Sequence, residues 1–243
     1  MRNDNGRCLI YIAGVFVATL ITSNIIAVKL IQIGGLYLDA AVVLFPITYI
    51  IGDVLTEVYG YARARKVIWL GFCCNFIAVI AIWIGGHLPA APFWNIGIFK
   101  SPAETQQAYD AILGFTPRLL IASFSAYLVG EFLNSYILAK LKIFTKGRFL
   151  WSRTISSTIA GQGADSFIFV AIAFSGIIPA GAMFAAILSQ WLFKVLYEIL
   201  ATPLTYVVVN KLKRIEQVDY YDIGTDFNPL PVKTGLFSGQ PQK

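Results

Sequence analysis

Charge is what this sequence has least of. Only 13% of its 243 residues are Asp, Glu, Lys or Arg, against roughly 25% in soluble domains. Hydrophobic residues make up 57%, and the mean hydropathy is +0.69. A larger core cannot absorb the deficit, because a globule of this size must still wet its surface. A soluble enzyme and a nucleic-acid-binding domain are excluded, and the chain is expected to lie in a lipid bilayer. Histidine and cysteine are nearly missing too. The single His87 cannot assemble a His/Cys metal cluster, so neither metal nor cofactor is expected. Cys8, Cys73 and Cys74 are an odd number with an adjacent pair in an apolar run. They make no disulfide framework and read as small buried hydrophobes. No cleavable signal peptide is expected, because the first apolar stretch outruns an h-region of about 7–15 residues and no small-residue site closes it.

What is present suits a membrane. Glycine (20), phenylalanine (18), tyrosine (12) and tryptophan (5) are abundant; glycine packs membrane helices closely and aromatic rings anchor interfaces. Crossing ~30 Å of hydrocarbon takes about 20 apolar residues. Six stretches satisfy this, at roughly 8–33, 36–58, 67–88, 117–140, 155–178 and 183–210. The fold class expected is an all-α integral membrane protein of six transmembrane helices. One domain spans 1–215 and a polar tail spans 216–243. Pro117 suits a helix start, whereas Pro46 and Pro203 fall inside the second and sixth stretches and should kink them. The longest outer connection, 89–116, contains Pro89, Pro92, Pro102, Phe93 and Trp94; it reads as an interfacial lid, a re-entrant element or a plain connector. The tail from Glu216 is polar and Pro/Gly-containing, and is expected to be extended or disordered.

Most positive charge falls on one side of this layout. Arg2 and Arg7 precede the first helix, Arg63, Arg65 and Lys66 join the second and third, Lys140 to Arg153 join the fourth and fifth, and Lys211, Lys213 and Arg214 follow the sixth. By the positive-inside rule both termini are cytoplasmic, as an even helix count also requires. The net charge of +6 is thereby explained without a nucleic-acid partner.

The remaining charges lie where they are costly. An ionisable group at membrane depth costs at least ~2.5–3.5 kcal/mol on insertion scales and marks function by default. Asp53, Glu57, Glu131, Asp165, Lys194 and Glu198 lie there. Asp53 and Glu57, four apart, share a helix face and suit either ligand contact or a charge-pairing gate with the nearby basic residues. Tyr127, Glu131, Asn134 and Ser135 share another face. Thr158, Gly161, Gln162, Asp165 and Phe169 share a third, and Gln190, Trp191, Lys194, Tyr197 and Glu198 a fourth. Lys194 and Glu198 could neutralise one another along their helix; Glu131 could pair with Arg153 or Lys194. Asp165 has no charge partner on its own helix and is the first candidate for substrate contact. A carboxylate favours a paired donor edge, amides supply donor and acceptor, and aromatic faces stack on planar rings. The set suits a flat polar heterocycle of purine size better than a bare metal ion.

The segments "SNIIAVKL" (23–30), "FPITYIIGDVLTEVYGYARARKVIW" (45–69), "SRTISSTIAGQGADSFIFV" (152–170) and "KVLYEILATPLTYVVVNKLKR" (194–214) resemble the queuosine precursor transporter family, also called the vitamin uptake transporter family. D-x-x-x-E-x-Y-G followed by R-x-R, together with R-T-I-x-S and G-Q-x-x-D, is the specific part; the resemblance spans about 8–214. It implies a multi-pass carrier of the cell inner membrane, similar in fold to substrate-binding components of energy-coupling-factor transporters. The implied substrates are 7-deazaguanine precursors of queuosine: 7-cyano-7-deazaguanine, its aminomethyl relative, or queuine. The positions that match are Asn24, Asp53, Glu57, Arg153, Gln162, Asp165, Lys194 and Glu198. Substrate contact is accordingly expected from Asp165, Gln162, Glu131, Asn134, Lys194, Glu198 and Asn24, and gating or charge pairing from Asp53, Glu57 and Arg153. Expected partners are the small molecule, the bilayer and, among the assemblies left open, a second copy in a homodimer. Secondary-type carriage, with Glu198 or Glu131 binding a coupling proton, is the leading expectation. The alternative is a binding subunit of an ATP-driven importer; an intramembrane enzyme or a scaffold ranks below both.

Overall fold

A computed structural model describes residues 6–33, 36–114, 117–177 and 179–230. The chain forms α1 (Arg7–Ile26), a hairpin of β1 (Leu30–Ile33) and β2 (Leu36–Asp39), a short 3-10 turn (Ala40–Val43), α2 (Phe45–Tyr59) and α3 (Tyr61–His87). It continues through α4 (Pro102–Leu113), α5 (Pro117–Phe144), α6 (Leu150–Phe174) and α7 (Ala180–Glu216). Five stretches are long and apolar enough to cross a membrane: α1, α3, Pro102–Phe144 (which contains α5), α6 and α7. The all-α membrane class expected from composition is the class observed.

The second apolar stretch departs from expectation. Residues 36–58 are not one helix. Leu36–Asp39 pairs antiparallel with Leu30–Ile33, in the register Leu30 opposite Asp39 and Ile33 opposite Leu36. The first stretch correspondingly ends as a helix at Ile26 rather than near 33. Leu-Ile-Gln-Ile and Leu-Tyr-Leu-Asp are short, β-branched or aromatic runs on either side of two glycines, which is a strand pattern as much as a helical one. Pro46 therefore opens α2 instead of kinking it, its fixed φ being suited to a first turn. With 15 residues, α2 is about 22 Å long, short of the hydrocarbon thickness. Its second half, residues 52–59, is buried on every side. A short helix enclosed by the bundle is free to present carboxylates inward rather than to lipid. Pro203 does lie inside α7, which continues past it.

Small residues bring α5 and α6 close. A Cβ added to Gly161 would stand 2.7 Å from Asn134 Cβ, and one added to Gly130 2.8 Å from Asp165 Cβ. Neither fits, so both positions need glycine for this small-residue crossing. The crossing holds Asn134 and Asp165 at one level.

The connection between α3 and α5 contains α4, started by Ser101, whose hydroxyl accepts from Glu104 N–H at 3.3 Å, and by Pro102. Tyr109 and Gln106 donate to the Ile82 and Gly86 carbonyls at 3.1 and 3.0 Å, fastening α4 to the end of α3. Residues 218–230 form no regular element, yet they lie as a strap across the start of α3. Asp222 accepts the Tyr61 N–H at 3.0 Å, Tyr61 Oη donates to the Phe227 carbonyl at 3.0 Å, and Trp69 Nε1 donates to the Pro229 carbonyl at 2.8 Å. Arg65 donates to the Asn228 carbonyl. Composition alone reads such a segment as solvated; here it supplies partners that exposed N–H groups at a helix start require. Gly60, at φ +82°, turns α2 into α3, and the Tyr220 ring occupies the space where a Cβ would go.

Candidate functional site

The charges of the helix interiors form two layers, and Asp53 and Glu57 belong to different ones. They are one turn apart on α2, about 6 Å along its axis.

The deeper layer joins α2, α5, α6 and α7. Asn134 Nδ2 donates to Asp53 Oδ1 at 2.8 Å. Asp53 stands within electrostatic range of Glu198 on α7. Lys194 Nζ donates to Asp165 Oδ2 and also meets the Tyr49 hydroxyl. Lys194 therefore pairs with α6, not with Glu198 four residues along its own helix. Glu131 stands within electrostatic range of Asp165, Lys194 and Asp53, its Oε2 3.2 Å from where a Cβ on Gly52 would lie. Asp53, Glu131, Asn134, Gln162 and Glu198 are all at most 5% exposed. Despite that burial, Asp53 Oδ2, Glu131 Oε2, Asn134 Oδ1, Gln162 Oε1 and Glu198 Oε1 receive no protein donor. Buried acceptors ordinarily find donors, and each one left bare costs about 1–3 kcal/mol. The layer holds four carboxyl groups against one ammonium and is rich in acceptors that the chain itself leaves bare. Among the described residues no three of His, Cys, Asp and Glu are placed to hold a metal ion.

The second layer lies at the basic end of the bundle and is matched in charge, although Glu57 Oε2 and Arg153 Nε take no protein partner. Glu57 Oε1 accepts from Arg153 Nη2 at 2.8 Å and Lys213 Nζ at 2.7 Å, with Lys142 Nζ 3.6 Å away. Lys142 donates to the Glu57 carbonyl at 2.5 Å, to Asp219 Oδ1 at 2.6 Å and to the Tyr220 carbonyl at 2.8 Å. Lys213 also reaches Asp219, at 2.9 Å. Arg153 turns its other nitrogen to the Arg148 carbonyl and Thr145 hydroxyl. Burial raises the Asp219 carboxyl, but Lys142 and Lys213 outweigh it and hold the group below its usual range. At Asp222 burial wins, and that carboxyl is pushed up. Beside this layer, Glu216 of α7 accepts the Gly6 and Cys8 N–H groups at 2.7 and 2.5 Å, capping α1.

Asp53, Glu131, Asn134, Asp165, Lys194 and Glu198 thus come together, with Gln162 buried beside the Gly161 crossing. Asn24 does not join them; its Nδ2 donates to Asn75 Oδ1 at 2.9 Å, tying α1 to α3. Arg153 meets Glu57 and not Glu131. Sequence reasoning missed Tyr49, whose phenol faces Lys194 from α2; it placed Lys142 and Lys213 among the charges that set topology and did not single out Asp219. For Lys142 a signal existed: two residues from exposed Lys140, it falls on the opposite side of α5, where the bundle buries it.

Comparison with known proteins bears on this bundle of buried carboxylates. Residues 39–208 match the family described as "Putative vitamin uptake transporter". The chain belongs to that transporter family. It is 31% identical over 198 residues to a "Probable queuosine precursor transporter" of Bacillus subtilis, covering 81% of this chain and 82% of that one. A "Queuosine precursor transporter" of Escherichia coli is 23% identical over 213 residues, 85% of this chain and 88% of its own. A Haemophilus influenzae protein named like the first is 29% identical over 133 residues, 54% of this chain and 49% of its own. No solved structure matches. The matched region contains both charged layers apart from Lys213 and the tail, in a multi-pass membrane protein whose work is transport rather than catalysis.

Proposed function

We propose that this transporter imports a queuosine precursor across the cell inner membrane: 7-cyano-7-deazaguanine, its aminomethyl relative or queuine. The observation that carries the reading is the surplus of bare acceptors at mid-bundle, because a 7-deazaguanine is rich in N–H donors. Its pyrimidine edge presents a carbonyl, a ring N–H and an exocyclic NH₂ in a row. Side by side, Lys194 and Asp165 complement that row: the ammonium donates to the carbonyl while the carboxylate accepts both N–H bonds. Gln162, Glu131 and Asn134 then meet the remaining N–H and substituent, and Tyr49, Trp191 or Tyr197 offers an aromatic face. The names borne by the relatives support this substrate class.

The basic end faces the cytoplasm in this proposal, with both termini there. The Glu57 layer closes that end, and releasing the substrate inward requires Arg153, Lys142 and Lys213 to part from Glu57 and Asp219. Carriage is of the secondary type and is driven by protons, since buried carboxyl groups without cations are natural proton sites. The test is uptake of labelled 7-cyano-7-deazaguanine into vesicles containing the purified chain alone. Accumulation with an inward proton gradient and no ATP supports the reading; accumulation only when a separate ATPase module is added overturns it in favour of a binding subunit. Binding of purines but of no deazapurine in a thermal-shift panel would remove the substrate class.

A further inference from the structure

We infer that Asp219, Tyr220 and Tyr221 form a bolt across the basic end of the bundle, and that Phe227, Asn228 and Pro229 are the anchor that keeps the tail in place while the bolt is drawn. Gln217, at φ +53°, ends α7 and turns the chain back across the bundle. The bolt then reaches α2, α5, α7 and the α5–α6 connection within three residues. Asp219 Oδ1 accepts from Lys142 of α5 at 2.6 Å and from Lys213 of α7 at 2.9 Å. Tyr220 donates its N–H to the Val58 carbonyl of α2 at 3.3 Å, and its own carbonyl accepts from Lys142 at 2.8 Å. Its ring fills the notch left by Gly60 between α2 and α3, while the Tyr221 hydroxyl fills the notch left by Gly147 between α5 and α6. Lys142 Nζ lies 4.7 Å from the Tyr221 ring centroid. Two consecutive tyrosines are thus seated in glycine notches of two different connections, and the backbone between them bars the end at which Glu57 is clamped.

The anchor has other partners. The successive carbonyls of Phe227, Asn228 and Pro229 accept from Tyr61 Oη at 3.0 Å, from Arg65 and from Trp69 Nε1 at 2.8 Å. Those donors are four residues apart on α3, so the tail follows one face of that helix for about 12 Å. The Phe227 ring packs 5.0 Å from the Tyr61 ring and 5.3 Å from that of Tyr136 on α5, with Lys140 Nζ 4.1 Å from its centroid. These five residues are not members of the Glu57 layer, whereas Lys142 and Lys213, which hold the bolt, are. A rearrangement that parts the layer therefore frees the bolt and leaves the anchor docked. Asp219 is 44% exposed, and an ion pair that water reaches is cheap to break, as a part that opens in every cycle requires. Residues 217–221 separate α7 from Asp222, which the Tyr61 N–H holds. Fully extended they span about 17 Å, so the drawn bolt remains a tether on α7.

That the bolt is drawn in each transport cycle rests on the carrier reading above. That it closes the basic end does not, so the two are measured separately. Closure is read without substrate, in a chain whose Cys8, Cys73 and Cys74 are replaced by serine. Ser157, fully buried on α6 one turn beyond Arg153, is replaced by cysteine, and its reaction with a water-soluble maleimide is timed. Asp219→Asn and Tyr220→Ala should each quicken labelling roughly fivefold or more, the second variant covering a failure of the first to fold. A control reporter, Val170→Cys, buried nearer the other end of α6, should stay protected in both. Unchanged labelling at 157, or equal quickening at 157 and 170, overturns the bolt. Transport then reads the division of labour. With Gly147→Cys and Tyr221→Cys joined by a short reducible linker, uptake of labelled 7-cyano-7-deazaguanine into proteoliposomes should be lost and regained on reduction. Lys146→Cys replaces Gly147→Cys in that pair if position 147 rejects a side chain. With Tyr136→Cys and Phe227→Cys joined in the same way, uptake should match that of the unjoined pair. Uptake through a joined bolt, or its loss on joining the anchor, overturns the inference. Labelling that changes as stated while wild type carries no deazaguanine defeats the proposed function and leaves the bolt standing.

Discussion

One helical turn on α2 separates a carboxylate with three cations around it from one that no cation among the described residues bonds. Glu57 is served by Arg153, Lys213 and Lys142, and the tail adds Asp219 to balance them. Asp53 has one amide and another acid. Both are equally buried and each keeps one oxygen without a protein donor, so neither desolvation nor a bare oxygen distinguishes them; pairing with cations does. A buried network whose charges are matched is a clamp, and breaking one member leaves the others uncompensated. A buried set with acceptors in excess is unfinished by itself and is completed by something that brings donors, whether a proton or an N–H-rich ring. In the proposed function the same residue types thus serve closure at the basic end and ligand contact at mid-depth.

The contrast can be broken or sharpened by neutralising one acid in each layer. The largest effect is expected from Glu57→Gln, which leaves Arg153, Lys142 and Lys213 crowded around no full counter-charge. Loss of one partner in such a buried set costs about 3–5 kcal/mol, read as lower yield and a lower melting temperature in detergent. Asp165→Asn comes next: uptake of the deazaguanine should be abolished, by about 2–5 kcal/mol of lost interaction, while membrane insertion and the melting profile stay near wild type. Unchanged uptake would remove Asp165 from the site.

Glu131→Gln should act with the opposite sign to Glu57→Gln. It withdraws one negative charge from a layer that has too many, so the ligand-free protein should melt higher, by about 1 kcal/mol or more, while transport slows. A lower melting temperature would mean that the deeper layer is a second clamp. The smallest effect concerns the strap. Because Asp219 is held below its usual range, its contribution to docking is present above the unfolded carboxyl value and is lost as pH falls through the depressed one. Limited proteolysis within 217–230 should therefore quicken in acid. Asp222, pushed up by burial, changes the other way: its docked form takes up a proton more readily than the free chain does. In Asp219→Asn cleavage should accordingly slow, not quicken, as pH falls.

Much of the site was legible in the order of residues, because hydrocarbon punishes polar groups. Glu131, Asn134, Asp165, Lys194 and Glu198 stand out in apolar helices, and helical spacing alone puts them on inward faces. What spacing could not supply was which residue answers which. Lys194 is four residues from Glu198 yet bonds Asp165 on the neighbouring helix, since Gly130 and Gly161 let α5 and α6 approach until Asp165 projects toward α7. Asn24 carries a family motif and an amide, but its nearest complement is Asn75.

By itself the sequence determined the environment, the class of fold and the level at which polar chemistry sits. Each of these follows from a transfer free energy summed along the chain, which is a local property. Tertiary structure alone decided the partners: that the second apolar stretch is a hairpin followed by a short enclosed α2, that the tail is a strap bonded to α3, and that Asp53 and Glu57 part company. Pairing depends on which helices touch and at what height. Those are set by the packing of glycines, side chains and backbone donors far apart in the chain, which no window along the sequence can sum.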